Sequence, residues 1–327
     1  MEKLVFVIFI FIQSCSQEPL NMEKALIEVD GAFCDTANKE PYSGPIFSSY
    51  SSDIIKEKGE LFNGKKQGVF IEWYENGNKK KEGAYNQGTL SGKWTYWGED
   101  GIKYLEESYK QGKKDGPFVE WHNNQQKSNE QMWINDKKDG LFTEWYENGN
   151  KKREGVLGEF NYKLGKWTYW NGDGKKYLEE NYINGKKVGY TIEWFPNGNK
   201  NKQTSWKNDK KDGLFTAWHD NGQKKQEGKF LNGQKNGKMV YWYNDGKKWM
   251  EEEFNNGEKN GLKIGWYPNG LKSIEENWIN DKKTGTYTMW YGNGQKKEVG
   301  NYNDGKESGK WIYYNSEGSI DKIEEYD

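Results

Sequence analysis

The chain has 327 residues, of which Leu, Ile, Val and Phe together supply only 55, too few to fill the deep core of a doubly wound enzyme or a helix bundle. Disorder is excluded as well: 49 basic residues nearly cancel 50 acidic ones, and 17 Trp, 22 Tyr and 14 Phe are far more rings than disordered chains carry. With 6 Pro there is no collagen or proline-rich linker, and a net charge of −1 argues against a dedicated nucleic-acid binder.

Residues 1–14 read as a secretory leader, with Lys3 as the positive end and nine uninterrupted apolar residues from Leu4 to Ile12. A membrane-spanning helix needs roughly 20 such residues, so the stretch fits a signal h-region instead. Ile12-Gln13-Ser14-Cys15 resembles a bacterial lipobox, which implies that Cys15 becomes the lipidated N-terminus; an ordinary cleaved signal peptide is the alternative, and either exports the chain. Cys34, the only other cysteine, reads as a partly buried small hydrophobe rather than a nucleophile, since no His lies near it in sequence. Residues 15–43 follow as anchor, linker and lead-in, and residues 44–67 as a degenerate capping repeat.

Residues 68–327 are eleven copies of one unit. The pattern Gly-x-aromatic-x-x-Trp-aromatic-x-Asn/Asp-Gly starts at Gly68, Gly92, Gly116, Gly140, Gly165, Gly189, Gly213, Gly237, Gly261, Gly285 and Gly309, every 24 residues except for one spacing of 25 after Gly140. Counting that Gly as position 1, position 6 is Trp73, Trp97, Trp121, Trp145, Trp170, Trp194, Trp218, Trp242, Trp266 and Trp290, with Tyr314 in the last unit. Position 18 is mostly aromatic and includes Tyr85, Tyr109, Tyr182 and Tyr302. Position 12 is Lys in ten units and position 15 Glu in eight, including Glu82, Glu106, Glu179 and Glu251. Units opened by Gly68, Gly140, Gly213 and Gly285 resemble one another, as do those from Gly92, Gly165, Gly237 and Gly309, and those from Gly116, Gly189 and Gly261. The larger period is thus three units, and duplication of a triplet explains it without invoking function.

Each unit holds two extended runs and two turn signals, so the expected fold class is all-β: an elongated, twisted antiparallel sheet of stacked hairpins. No sustained 3.6 period occurs, which predicts no helix beyond the leader. A two-residue Asn-Gly loop would put positions 6 and 18 on opposite faces. A three-residue loop ending in a left-handed Gly puts them on one face. The second geometry is expected, stacking the Trp and Tyr rows into one aromatic ladder worth roughly 0.5–1.5 kcal/mol per ring pair. The 25-residue spacing predicts a widened turn within VLGEFNYKL, residues 156–164.

Strings such as YENGNKKKEG, WHDNGQKKQEGKFLNGQKNG and WYGNGQKKEVGNYNDGKESG resemble the MORN-repeat variant family over roughly residues 30–327. Bacterial members are often labelled antitoxins of the YwqK type. The resemblance implies one hairpin per repeat and little about activity, and export fits poorly with neutralising a cytoplasmic toxin.

Catalytic constellations are nearly absent: no His/Cys cluster, nucleophile elbow or phosphate loop is visible, and no metal or cofactor is implied. His122 and His219 both fall at position 7 and stand in for aromatics. The recurring Glu offers no single site with two distinct environments, so it is expected to pair with Lys. Lysine pairs near the second turn (Lys65-Lys66, Lys113-Lys114, Lys137-Lys138, Lys210-Lys211, Lys282-Lys283) line one edge, either as solvated turn residues or as contacts for anionic lipid or polysaccharide. The leading expectation is a non-enzymatic scaffold, held to the membrane by its lipid anchor, that offers a β surface to a protein partner and not to nucleic acid. A carbohydrate or cell-wall binder using exposed Trp and Tyr is the alternative, and an antitoxin the third.

Overall fold

A computed structural model describes residues 17–51 and 54–327, so the leader and Cys15 lie outside the described residues. Two compact units divide the chain, one ending at Lys137 and one starting at Lys138. In the first, strands Gly44–Ser51, Ile54–Phe62, Lys65–Trp73, Lys79–Asn86, Thr89–Trp97, Lys103–Lys110, Gly116–Trp121 and Lys127–Ile134 each pair antiparallel with the next. In the second the same meander runs from strand Lys137–Trp145, which begins at the boundary residue, and Lys151–Leu157 to Lys306–Tyr314 and Ile320–Tyr326. The all-β hairpin stack expected from the periodicity is therefore the fold.

The segment read as linker and lead-in is a folded cap from Leu20 onward. Leu20–Asn21 pairs parallel with Gly44–Ser51, and a hairpin of Leu26–Val29 with Ala32–Asp35 follows. Met22, Leu26, Phe33 and Tyr42 pack on buried Ile46, Leu61 and Phe70. Between them lies helix Met22–Ala25, whose first turn is capped by Asn21 Oδ1 accepting from the N–H groups of Glu23 and Lys24 at 3.1 and 3.3 Å. This helix corrects the expectation of none, as does the 3₁₀ turn Glu159–Asn161 in the one long spacing. Four and three residues are too few to leave a helical period in the sequence.

The first turn of each unit is the one predicted. Gly77 donates to the Tyr74 carbonyl at 3.0 Å and Tyr74 to the Asn78 carbonyl at 2.8 Å, with Gly77 at φ +86, a type I turn closed by a glycine bulge. The second turn is a two-residue loop with both residues at positive φ, as in Gln87 (49) and Gly88 (83). The register between them departs from expectation. Trp73 pairs with Lys79 but Glu72 pairs with Lys81, leaving Lys80 as an extra residue. This second bulge recurs in every unit and flips the strand by one residue. Tyr85 consequently sits opposite Gly68 and shares a face with Phe70, whereas Trp73 occupies the other face. The single ladder expected from Trp73–Trp290 with Tyr85, Tyr109, Tyr182 and Tyr302 is instead two rows on opposite faces.

The core is carried by position 3. Phe70, Trp94, Trp167, Met239 and Trp311 are all at most 2% exposed. Their room comes from position 16 of the preceding unit: a Cβ built on Gly83 would lie 2.1 Å from the Trp94 ring, and Gly155, Gly228 and Gly300 stand in the same relation to Trp167, Met239 and Trp311. The indole N–H of Trp94 also donates to the Ala84 carbonyl at 3.1 Å, as Trp167 does to Val156. Glycine in the first member of a triplet and a large side chain in the second thus explain part of the three-unit period by packing.

Candidate interaction surfaces

On the face carrying the position-6 tryptophans, each indole is half-buried, and eight of them have the position-12 lysine of the preceding repeat over the ring. Lys79 is 5.6 Å from the centroid of Trp97 and Lys103 3.7 Å from that of Trp121; in the second unit Lys176 is 4.0 Å from Trp194. Lys151, Lys200, Lys224, Lys248 and Lys272 cover Trp170, Trp218, Trp242, Trp266 and Trp290 at 5.6–5.8 Å. The same ammonium groups reach the position-15 carboxylates three residues on, as in Lys79–Glu82 (2.6 Å), Lys176–Glu179 (2.7 Å) and Lys248–Glu251 (2.5 Å). Position 7 ties the row to the backbone: the hydroxyls of Tyr74, Tyr243 and Tyr267 donate to the Trp97, Trp266 and Trp290 carbonyls at 3.0, 2.7 and 2.7 Å. His219 takes this rung with Nε2 3.1 Å from the Trp242 carbonyl, so it acts where tyrosine would. The half-buried His122 stands at the same position.

The opposite face gathers positions 3, 16, 18 and the lysine that stands two residues before nine of the eleven opening glycines, Leu90 and Glu307 taking its place before Gly92 and Gly309. Buried Glu107, Glu180, Glu252 and Glu276 lie here. Lys187 reaches Glu180 at 2.5 Å, Lys259 reaches Glu252 at 3.1 Å, and Glu276 is held between Lys263 (2.8 Å) and Lys283 (2.9 Å). Burial works against the Glu276 carboxylate, but hydrogen bonds from Lys263 and Lys283 outweigh it and leave its pKa below the ordinary value. Burial, then Glu107, pushes the Tyr96 hydroxyl up to about 12, and burial with Glu252 does the same for Tyr241. Lys163 sits in a ring cage, 4.9 Å from Trp167 and Tyr182 and 5.2 Å from Tyr169; burial lowers its pKa while Glu180 partly restores it.

The lysine pairs therefore split. The first members, such as Lys65, Lys113 and Lys210, are exposed, but the second turn inward: Lys66 lies over Phe70 and Tyr85, and Lys211 over Phe215 and Phe230. Cys34 is buried. Among the described residues no metal-ligating cluster occurs. Sequence reasoning missed two devices at the turns. Asn76 accepts the Asn78 N–H through Oδ1, and its own amide donates to the Glu99 carbonyl of the next unit at 2.7 Å. Asp136, Asp209 and Asp281 adopt positive φ where other units have Gly, and their carboxylates cap the N–H groups of Lys114, Lys187 and Lys259 at 2.7–2.8 Å. The recurrence of Asn-Asp every third unit was the available signal.

Four segments match the MORN repeat variant. They are residues 66–87, 138–156, 211–232 and 283–304, the first member of each triplet. No curated protein matches the chain. Among solved structures, the complex of TcdB2–TccC3 with Cdc42 is similar at 11% identity over 90% of this chain and 19% of that one, with a TM-score of 0.20. The Tc holotoxin pore of Photorhabdus luminescens is similar at 13% identity over 86% and 17%, with a TM-score of 0.19. The chain spans less than a fifth of those proteins, and at such scores the likeness bears on neither fold nor function.

Proposed function

We propose that the chain is a non-catalytic repeat scaffold, exported and anchored through a lipid on Cys15 at the bacterial envelope, that presents its sheet to a protein partner. One observation carries this reading: the chain's own lysines lie over the position-6 indoles and neutralise the recurring carboxylates, and exposed rings such as Tyr104, Tyr177 and Trp249 stand three repeats apart rather than in a row. A sugar platform needs open ring faces, and acid–base chemistry needs two carboxyl groups in different environments; the ladders provide neither. MORN-variant repeats in a β scaffold are consistent with protein interaction. What a partner can reach in the second compact unit is the row at position 2, where Leu141, Tyr190, Leu214 and Leu262 are exposed beside Lys166 and Lys238. The test is an envelope pull-down with the fragment from residue 17 onward, as wild type and as Leu141→Glu/Leu214→Glu, alongside a glycan array. A protein retained by the wild type and lost by the variant, with a blank array, is expected. A glycan bound saturably by both proteins sinks the scaffold reading.

A further inference from the structure

An acyl anchor at Cys15 leaves the chain almost no slack. Gln17 Nε2 donates to the Tyr42 hydroxyl at 3.3 Å, and Leu20 is held in register with Ile46 of the first long strand. The five residues from Cys15 to Leu20 reach at most about 18 Å fully extended, and the two to Gln17 about 7 Å. From this, and resting on the anchored reading above, we infer that the N-terminal cap of the first unit is a membrane-facing surface. Its partner is the headgroup layer of the bilayer, and the repeats of that unit are carried away from it strand by strand.

The cap is not drawn there by its own charge. Residues 17–43 hold six carboxylates, Glu18, Glu23 and Asp35 among them, against two lysines, Lys24 and Lys39. Anionic lipid repels that balance, so the tether alone holds the cap in place. On the face that carries the position-6 indoles, Lys79 and Lys103 are engaged by Glu82 and Glu106 and by the Trp97 and Trp121 rings, and the exposed Lys65 and Lys113 lie at the turns rather than on a face. Edge-on attachment follows. Strand Gly116–Trp121 is the sixth beyond Gly44–Ser51, which at about 4.8 Å per strand puts its end of the sheet on the order of 29 Å further from the bilayer than the cap.

The experiment uses the full acylated chain in membranes doped with a headgroup nitroxide lipid, with a fluorophore on Glu40→Cys or Asn123→Cys in a Cys34→Ala background. Quenching at residue 40 should exceed that at residue 123 several-fold. A 20-residue Gly/Ser insertion between Ser16 and Gln17 should bring the two to the same low level. Equal quenching at both sites without the insertion means the sheet lies flat on the lipid and overturns the inference. Quenching at residue 40 that survives the insertion overturns it too, since the cap would then bind lipid by itself. Palmitate labelling separates the two levels: if wild type and Cys15→Ala incorporate equally little, the anchor fails and the inference with it, whereas normal labelling with flat quenching removes the inference alone.

Discussion

Gly83 tests the packing argument directly. Its backbone is not left-handed, so an alanine there is conformationally free and in an ordinary strand should gain roughly 0.5–1 kcal/mol over glycine. Here the added Cβ would lie 2.1 Å from the Trp94 ring. The ring has nowhere to go: it is 2% exposed, Tyr85 meets it edge-on at 5.0 Å, and its N–H is tied to the Ala84 carbonyl. Overpacking of this kind costs roughly 1–3 kcal/mol, so Gly83→Ala should destabilise by about that amount. Trp94→Leu alone should cost roughly 2–3 kcal/mol through lost burial, yet in that background Gly83→Ala should cost nothing, giving a coupling of about 1–3 kcal/mol. Gly68→Ala is the control. Its Cβ meets nothing within 4 Å, but φ is +76, so roughly 1–2 kcal/mol should be lost whatever occupies position 94. Stacked repeats need not unfold in one step, so the readout is hydrogen exchange of peptides spanning residues 65–110, with distal peptides as reference. Full protection in Gly83→Ala, or a coupling under about 0.5 kcal/mol, would refute the close-approach account.

Acidification should lower stability. Glu72, Glu179, Glu180, Glu251 and Glu276 all sit below the ordinary value of 4.5 in the folded chain, so their contribution is complete above that pH and lost below it; thermal melts should hold from pH 7 to about 5 and fall steeply under about 4.5. At the alkaline end Tyr96, Tyr241 and Tyr302 ionise only near about 12, so absorbance at 295 nm should show a late fraction that moves to about 10 in denaturant, and stability should decline across that interval. Lys103→Gln removes the cation from Trp121 and from Glu106 at the surface, and should cost only about 0.5–1 kcal/mol in thermal unfolding; a loss of several kcal/mol would mean the ladder does more than these contacts allow.

Much of the fold was legible because it repeats. The aromatic content, the Asn-Gly signals and the spacing of 24 name the hairpin, its three-residue loop and the odd turn near Phe160, where the structure places Phe160 and Asn161 at positive φ. The faces were not legible, and the reason is physical. A glycine bulge announces itself, because φ +86 at Gly77 strongly favours Gly, and among the units Gln125 alone takes the same place, at φ +67, without it. The second bulge sits at Lys80, whose φ is ordinary, so any residue can occupy it, and nothing in Lys79-Lys80-Lys81 distinguishes a bulge from a regular strand. One silent residue moved the whole tyrosine row to the far side of the sheet.

That displacement changes what the lysines are for. With Trp and Tyr on one face, a single lysine row would have had to serve both, and the remaining cations would have been left to solvent or to anionic partners. With the rows separated, position 12 serves the tryptophans and the lysine two residues before most opening glycines serves the position-3 and position-18 rings, so each row of rings has its own cations. The three-unit period follows the same logic. Glycine at position 16 admits Trp94, Trp167 and Trp311, glutamate at position 16 requires an inward lysine, and Asp at the second turn caps the unit before it. These requirements fall on successive units, so no one unit can be swapped for its neighbour without breaking a contact on either side. Moving Glu180 into the place of Gly155, as Gly155→Glu, would therefore bury a carboxylate against Trp167 and should unfold repeats flanking residue 155, while Glu180→Gly strips Lys187 of its carboxylate and the buried Tyr182 hydroxyl of its acceptor and should destabilise its own repeat in turn.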